Sequence, residues 1–358
     1  MHILKWSRAN GCGWDSDTCL TAAEAGHLHI LEWCHSNGCD WDSRTCSAAA
    51  EAGHLHILEW SHNNNCPWDA DTTSSAARAG HLPCLQFARA NDCDWDSSTC
   101  SLAAFSGHLN ILEWAHNNNC PWDADTCLNA AIGGHLPCLQ YARANDCEWE
   151  DENICSGAAR GGHLEIIIWA RQNGCNWDES TSICAARAGH VHVLQWLLTN
   201  GGNMDWEHET FLCNLAAKCG HLNVMMWGRE NGCEWDADTC SIAAGAGHLN
   251  VLKFARENGC NWNADTCTAA AKAGHLNVLT WARLNGCNWN ADTCTAAAKA
   301  GHLNVLKFAR ENGCDWDSKA YKIAAAEGHL HILEWALANN CPCPGNIYVD
   351  LFPHLGRV

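Results

Sequence analysis

Basic residues are scarce: 21 Lys and Arg stand against 40 Asp and Glu, for a net charge of −19. Binding to a phosphate backbone needs a basic footprint, so this balance argues against a nucleic-acid partner, and likewise against an anionic membrane surface. No apolar run approaches the ~20 residues that span a bilayer, and the start, MHILKWSRANG, reads as helix rather than as a secretory signal. The expected location is therefore the cytoplasm. Methionine is rare, and neither a Gly-rich phosphate loop nor a His-Glu-x-x-His pair occurs, which removes the usual motifs of nucleotide and zinc-peptidase chemistry.

What is abundant is regular. Gly286 to Leu306 repeats Gly259 to Leu279 letter for letter, GCNWNADTCTAAAKAGHLNVL. A Gly-His-Leu/Val anchor falls at Gly26, Gly53, Gly80, Gly107, Gly134, Gly162, Gly189, Gly220, Gly247, Gly274, Gly301 and Gly328, with most spacings equal to 27 residues. A fixed period in this range is the mark of a solenoid. It also resolves the length, since 358 residues exceed what one core usually serves. About twelve stacked helix pairs, each touching only its neighbours, would run on the order of 100 Å.

Within one repeat, Asp292 before Thr293 is placed to cap a short helix. Cys294, Ala297 and Ala298 then share one small apolar face. Gly301 ends this helix as a left-handed cap. A second helix follows over about 302–312, with Val305, Leu306, Phe308 and Ala309 on a wide apolar arc and Asn304, Lys307 and Arg310 on the polar stripe. The position before the loop cysteine holds only Gly, Asn or Asp, from Gly11 to Asn340, which reads as a second left-handed cap. One aromatic sits mid-way along each second helix and a Trp sits in each loop from Trp14 to Trp316. An aromatic at one register in every repeat reads as a packing ladder in the core.

The chain opens in mid-repeat, since His2-Ile3-Leu4-Lys5-Trp6 aligns with His29-Ile30-Leu31-Glu32-Trp33. The expected organisation is a single solenoid domain: a half-repeat over 1–14, repeats over 15–343, and a capping tail over 344–358. An irregular seam falls near 200–210, where the anchor spacing stretches to 31 between Gly189 and Gly220.

The motif Ala270-Ala271-Lys272-Ala273-Gly274-His275-Leu276 and its equivalents resemble the ankyrin repeat, in the short Trp- and Cys-rich form seen in giant DNA viruses and algae. The resemblance covers nearly the whole chain and implies an all-α, ankyrin-type solenoid of about twelve helix-turn-helix units. At 27 residues rather than 33, the unit would lack the family's β-hairpin finger. It further implies a non-enzymatic scaffold that binds a protein partner through the concave helix face, in the host cytoplasm if the source is viral. Relatives of this kind often carry an F-box and serve as ubiquitin-ligase adaptors; nothing outside the repeats is long enough to be one.

The alternative is a Cys/His-rich metal-binding array, suggested by 27 Cys and 22 His. Cys260, Cys267 and His275 lie seven and eight residues apart, not at the short spacing of a zinc finger. A thiol enzyme needs one activated pair in one pocket, whereas here both residue types recur in every repeat. No cofactor is expected. Cys also suits a small buried apolar position, and equivalent cysteines of neighbouring repeats lie too far apart, at ~8–10 Å, for a disulfide ladder along the row.

The residue two before each anchor Gly varies freely: Glu24, Glu51, Arg78, Phe105, Ile132, Arg160, Arg187, Lys218, Gly245, Lys272, Lys299, Ala326. On a 3.6-residue helix Lys272 lies nearly opposite Cys267, Ala270 and Ala271, so the row should face solvent. The candidate partner-binding set is Arg78, Phe105, Ile132, Arg160, Arg187, Lys218, Lys272 and Lys299. Its apolar centre at Phe105 and Ile132 with a basic rim would suit an acidic partner surface.

Overall fold

The computed structural model describes residues 2–149, 151–201 and 211–342. The tail over 344–358 and most of the seam near 200–210 lie outside them. Among the described residues there are 25 helices and no strand: His2–Ala9 alone, then twelve pairs that end with Ser318–Ala326 and Leu330–Ala338. The protein is an all-α solenoid of helical repeats.

The two caps of each repeat set this pattern. The first helix of one repeat, Ala291–Lys299, starts at Asn290, whose side chain accepts a hydrogen bond from the Asp292 N–H at 3.1 Å. This corrects the cap expected at Asp292. Asn290 has the extended backbone of a capping residue, and Asp292 stands inside the first turn, where its charge faces the positive end of the helix. Asp42, Asp69, Asp96, Asp123, Asp236, Asn263 and Asp317 cap their helices in the same way. The chain then reverses at Gly301 (φ 80°), with the His302 N–H bonded to the Ala297 carbonyl at 3.0 Å. The second helix, Leu303–Glu311, ends at Gly313 (φ 81°). Where that position is not Gly, Asn65, Asp92, Asn119, Asp146 and Asn340 hold φ between 59° and 64°, the left-handed conformation the residue choice predicts.

The core is made of small residues on the first helix and aliphatic ones on the second. Thr266, Cys267, Ala270 and Ala271 are fully buried, as are Val278, Leu279 and Ala282 behind them. Burial of each such Val or Leu contributes about 1.5–3 kcal/mol. With only Ala, Cys and Thr between them, neighbouring first helices such as Ala237–Ala246 and Ala264–Ala273 lie against each other along their length. Second helices such as Leu249–Glu257 and Leu276–Leu284 meet at few points. The first helices thus form the tighter, inner row of the stack.

The chain divides into two compact bodies, residues 1–185 with 199–202, and 186–198 with 203–358. In the lone leading helix Ile3 and Trp6 are 80 % and 67 % exposed.

Candidate functional site

The variable row runs along the ends of the first helices, and its backbone is held by a device that sequence reasoning did not assign to any residue. In six repeats the anchor histidine of the following repeat reaches back and donates its Nε2–H to the main-chain carbonyl of the row residue. Such bonds join His54 to Glu24 (3.2 Å), His108 to Arg78 (3.2 Å) and His163 to Ile132 (3.1 Å). The same ring covers the anchor glycine of the preceding repeat. A Cβ on Gly274, for example, would lie 2.8 Å from His302 Cε1. Gly is therefore required at the anchor twice over, for its positive φ and for the ring above it.

In the first body the row reads Glu24, Glu51, Arg78, Phe105, Ile132, Arg160. All are exposed except Ile132, which is half-buried. Phe105 keeps 42 % of its surface in water, unusual for an aromatic with no partner ring to cover. The backbones approach closely here: Gly133 lies on the Phe105 carbonyl, and a Cβ on Gly161 would come within 2.5 Å of the Ile132 carbonyl oxygen. Arg78 does not offer an open positive charge, because its guanidinium is 2.6 Å from Glu51. Next to that pair, Leu20, Ser47, Ala48 and Ala52 floor an open groove of about 470 Å³, walled by Glu24, Glu51, Arg44 and Asp71. Arg44 is itself held by Asp17 at 2.9 Å and Asp42 at 2.8 Å, and this pairing keeps the Asp42 carboxyl below its ordinary range.

In the second body the row is Arg187, Lys218, Gly245, Lys272, Lys299 and Ala326. Its four basic residues are all exposed. Three of their carbonyls are held as before: Arg187 by His221 at 2.7 Å, Lys218 by His248 at 3.2 Å and Lys299 by His329 at 3.0 Å. A chain rich in acid thus presents a basic stripe at one register, interrupted at Gly245.

Among the described residues the loop tryptophans occupy the other edge, and they are half-buried rather than part of the core. A typical one joins a three-part stack. A cation from its own second helix covers one face, as Arg89 does over Trp95 at 4.2 Å and Arg283 over Trp289 at 4.5 Å. Where the helix carries His instead, that ring stacks, as His62 does on Trp68 at 4.0 Å. The aromatic of the next second helix then meets the Trp edge-on, as Trp281 meets Trp262 at 5.7 Å. The same arginines bond the loop cysteine's carbonyl, Arg256 to Cys260 at 2.8 Å and Arg171 to Cys175 at 2.9 Å. These stacks fill the wider spacing between second helices, and their regularity marks them as structure.

The cysteines are mostly sealed in. Burial pushes the Cys84 and Cys138 thiols up to about 11 and Cys93 up to about 12, which suppresses the thiolate a nucleophile would need. Among the described residues no group of three or more His, Cys, Asp or Glu could hold a metal ion. No helix among them is long and apolar enough to cross a membrane.

No protein-family model matches the chain, and no curated protein matches it. Among solved structures, the human ASB11 ankyrin repeat domain matches over 44 % of this chain and 84 % of its own, at 18 % identity and a TM-score of 0.38.

Proposed function

We propose that this chain is a non-enzymatic, ankyrin-type scaffold that binds an acidic segment of a partner protein along the inner row of first helices. The observation that carries this reading is the stripe of Arg187, Lys218, Lys272 and Lys299. Four exposed cations recur at one register, three of them with backbones fixed by the next repeat's histidine, on a chain whose net charge is −19. A partner that lays carboxylates along them gains electrostatic steering and orientation. In the first body Phe105 and the half-buried Ile132 supply an apolar contact of the kind that anchors an interface. The Arg78–Glu51 pair takes Arg78 out of the basic rim on that side. Buried thiols and the missing metal-ligand clusters give the metal-array and thiol-enzyme readings nothing to stand on among the described residues. We place the protein in the reducing interior of a cell.

The test is a triple charge reversal, Lys218→Glu, Lys272→Glu and Lys299→Glu, compared with wild type in quantitative pull-downs at two salt concentrations. Wild type should capture acidic partners that are released by salt and lost by the variant, while both melt alike. An unchanged partner set would remove this stripe as the binding surface.

A further inference from the structure

The thiols that look like inert filling are arranged in pairs. Nine first-helix cysteines, from Cys19 to Cys294, each have a loop cysteine twenty residues later in the same repeat, from Cys39 to Cys314. The structure brings the two thiols of a pair together: Cys240 Sγ lies 3.2 Å from Cys260 Sγ, and Cys155 Sγ lies 3.4 Å from Cys175 Sγ. In a third repeat the Cys213 N–H donates to Cys233 Sγ at 3.3 Å, and in each of these other seven repeats one thiol of the pair has its ionisation shifted by the other. Looking along the stack hides this, since equivalent cysteines of neighbouring repeats are a helix spacing apart. The pairing is across one repeat, between the first helix and the loop that closes the second.

We propose that these pairs are modification sites: each is a dithiol that a two-electron oxidant, a peroxide or a small-molecule disulfide, converts to a disulfide within its own repeat. Two S–H bonds break and one S–S bond forms. With a peroxide, one sulfur attacks the O–O bond to give a sulfenic acid and the first water. The second sulfur then attacks the sulfenic sulfur, and its hydroxyl leaves as the second water. With a small disulfide, exchange passes through a mixed disulfide and releases two small thiols. In the pair Cys240–Cys260 the attacking sulfur is the loop cysteine, Cys260. Cys260 accepts the Cys240 S–H, and the Arg256 guanidinium sits on its main-chain carbonyl. That donated bond, with Arg256 behind it, holds the Cys260 thiol below its ordinary range, while Cys240 is pushed far up. Both sulfurs are fully buried, so closure happens as a repeat opens locally, and the bond then ties its two helices together.

The array carries its own controls. Cys93 has Thr73 where its partner would stand, and Cys84 and Cys138 lie outside the pair positions. Reduced full-length protein is exposed under native conditions to hydrogen peroxide or, separately, to oxidised glutathione. It is then denatured, alkylated and mapped by peptide mass spectrometry. The expected result is intrachain links joining each first-helix cysteine to the one twenty residues on, with Cys84, Cys93 and Cys138 unlinked. The oxidised protein should also melt at a higher temperature than the reduced one. In Cys240→Ala, Cys260 should lose its link and appear alkylated or glutathione-capped, with the remaining pairs still joined. Scrambled or interchain links, sulfinic and sulfonic acids without links, or thiols that stay fully alkylatable would each overturn the proposal.

Discussion

His329 Nε2 lies 3.0 Å from the carbonyl oxygen of Lys299, a residue of the preceding repeat. The bond joins the two features that any binding role needs, a fixed backbone and a free side chain. Removing it by His248→Ala, where the acceptor is the Lys218 carbonyl, strands that carbonyl and uncovers Gly220. The expected cost is ~1–3 kcal/mol. Coupling in a solenoid is between neighbours. Hydrogen exchange should therefore accelerate over Phe211–Cys219 and Leu249–Glu257 first, rather than uniformly.

One member of the histidine row, His135, also makes stability depend on pH. Burial, together with the neighbouring His163 and His108, lowers the pKa of His135 below its ordinary 6.5. Above pH 6.5 the ring is neutral in both folded and unfolded chains, and stability is full. Below that, the unfolded chain takes the proton first, so stability declines until the folded ring titrates too. Melting temperatures from pH 8 to 5 should fall more steeply for wild type than for His135→Gln. Parallel curves would show that His135 does not contribute.

Trp289 is half-buried, so Trp289→Ala should cost less than the ~3–5 kcal/mol typical of a core aromatic. A double-mutant cycle with Arg283→Met should return a coupling of about 0.5–1 kcal/mol, the usual value for an exposed cation over a ring. Additive losses would mean that the 4.5 Å stack is geometric only.

Gly274 and Gly286 have nearly the same φ, 78° and 84°, but only Gly274 has a histidine ring over it. Gly286→Ala should cost about 1 kcal/mol, from backbone strain alone. Gly274→Ala should cost distinctly more, because the His302 ring must move and its neighbours with it. Urea titration of the two variants separates the terms; equal losses would mean that the ring yields freely.

Much of the fold is legible in single letters. The restriction to Gly, Asn or Asp at thirteen loop positions announces a left-handed residue, and φ is positive at every one. The anchor Gly and the solvent-facing row follow from helical period in the same way. The helix start is less legible: both Asn290 and Asp292 have capping side chains, and only the backbone at Asn290 decides between them. Two features cannot be read from periodicity at all. A histidine that bonds a carbonyl thirty residues earlier looks like any other anchor letter, because the acceptor is main chain. The thiol pairs escape notice because their partner lies across the repeat, and a search for equivalents along the array misses it. Exposure of the loop tryptophans is hidden for a related reason: a regular aromatic row looks the same whether it fills a core or spans an outer gap.

The central claim is that recognition happens on the inner row, and a photo-crosslinker tests it most directly. A benzophenone side chain is placed at Lys272 or at Asn277, two exposed positions of one repeat that lie on its first and second helices. Each protein is irradiated in a lysate and its adducts are identified. The account predicts discrete adducts to acidic protein segments from position 272, competed by unmodified wild type, and none from 277. Adducts from 277 alone, or equal and uncompeted adducts from both, would contradict it.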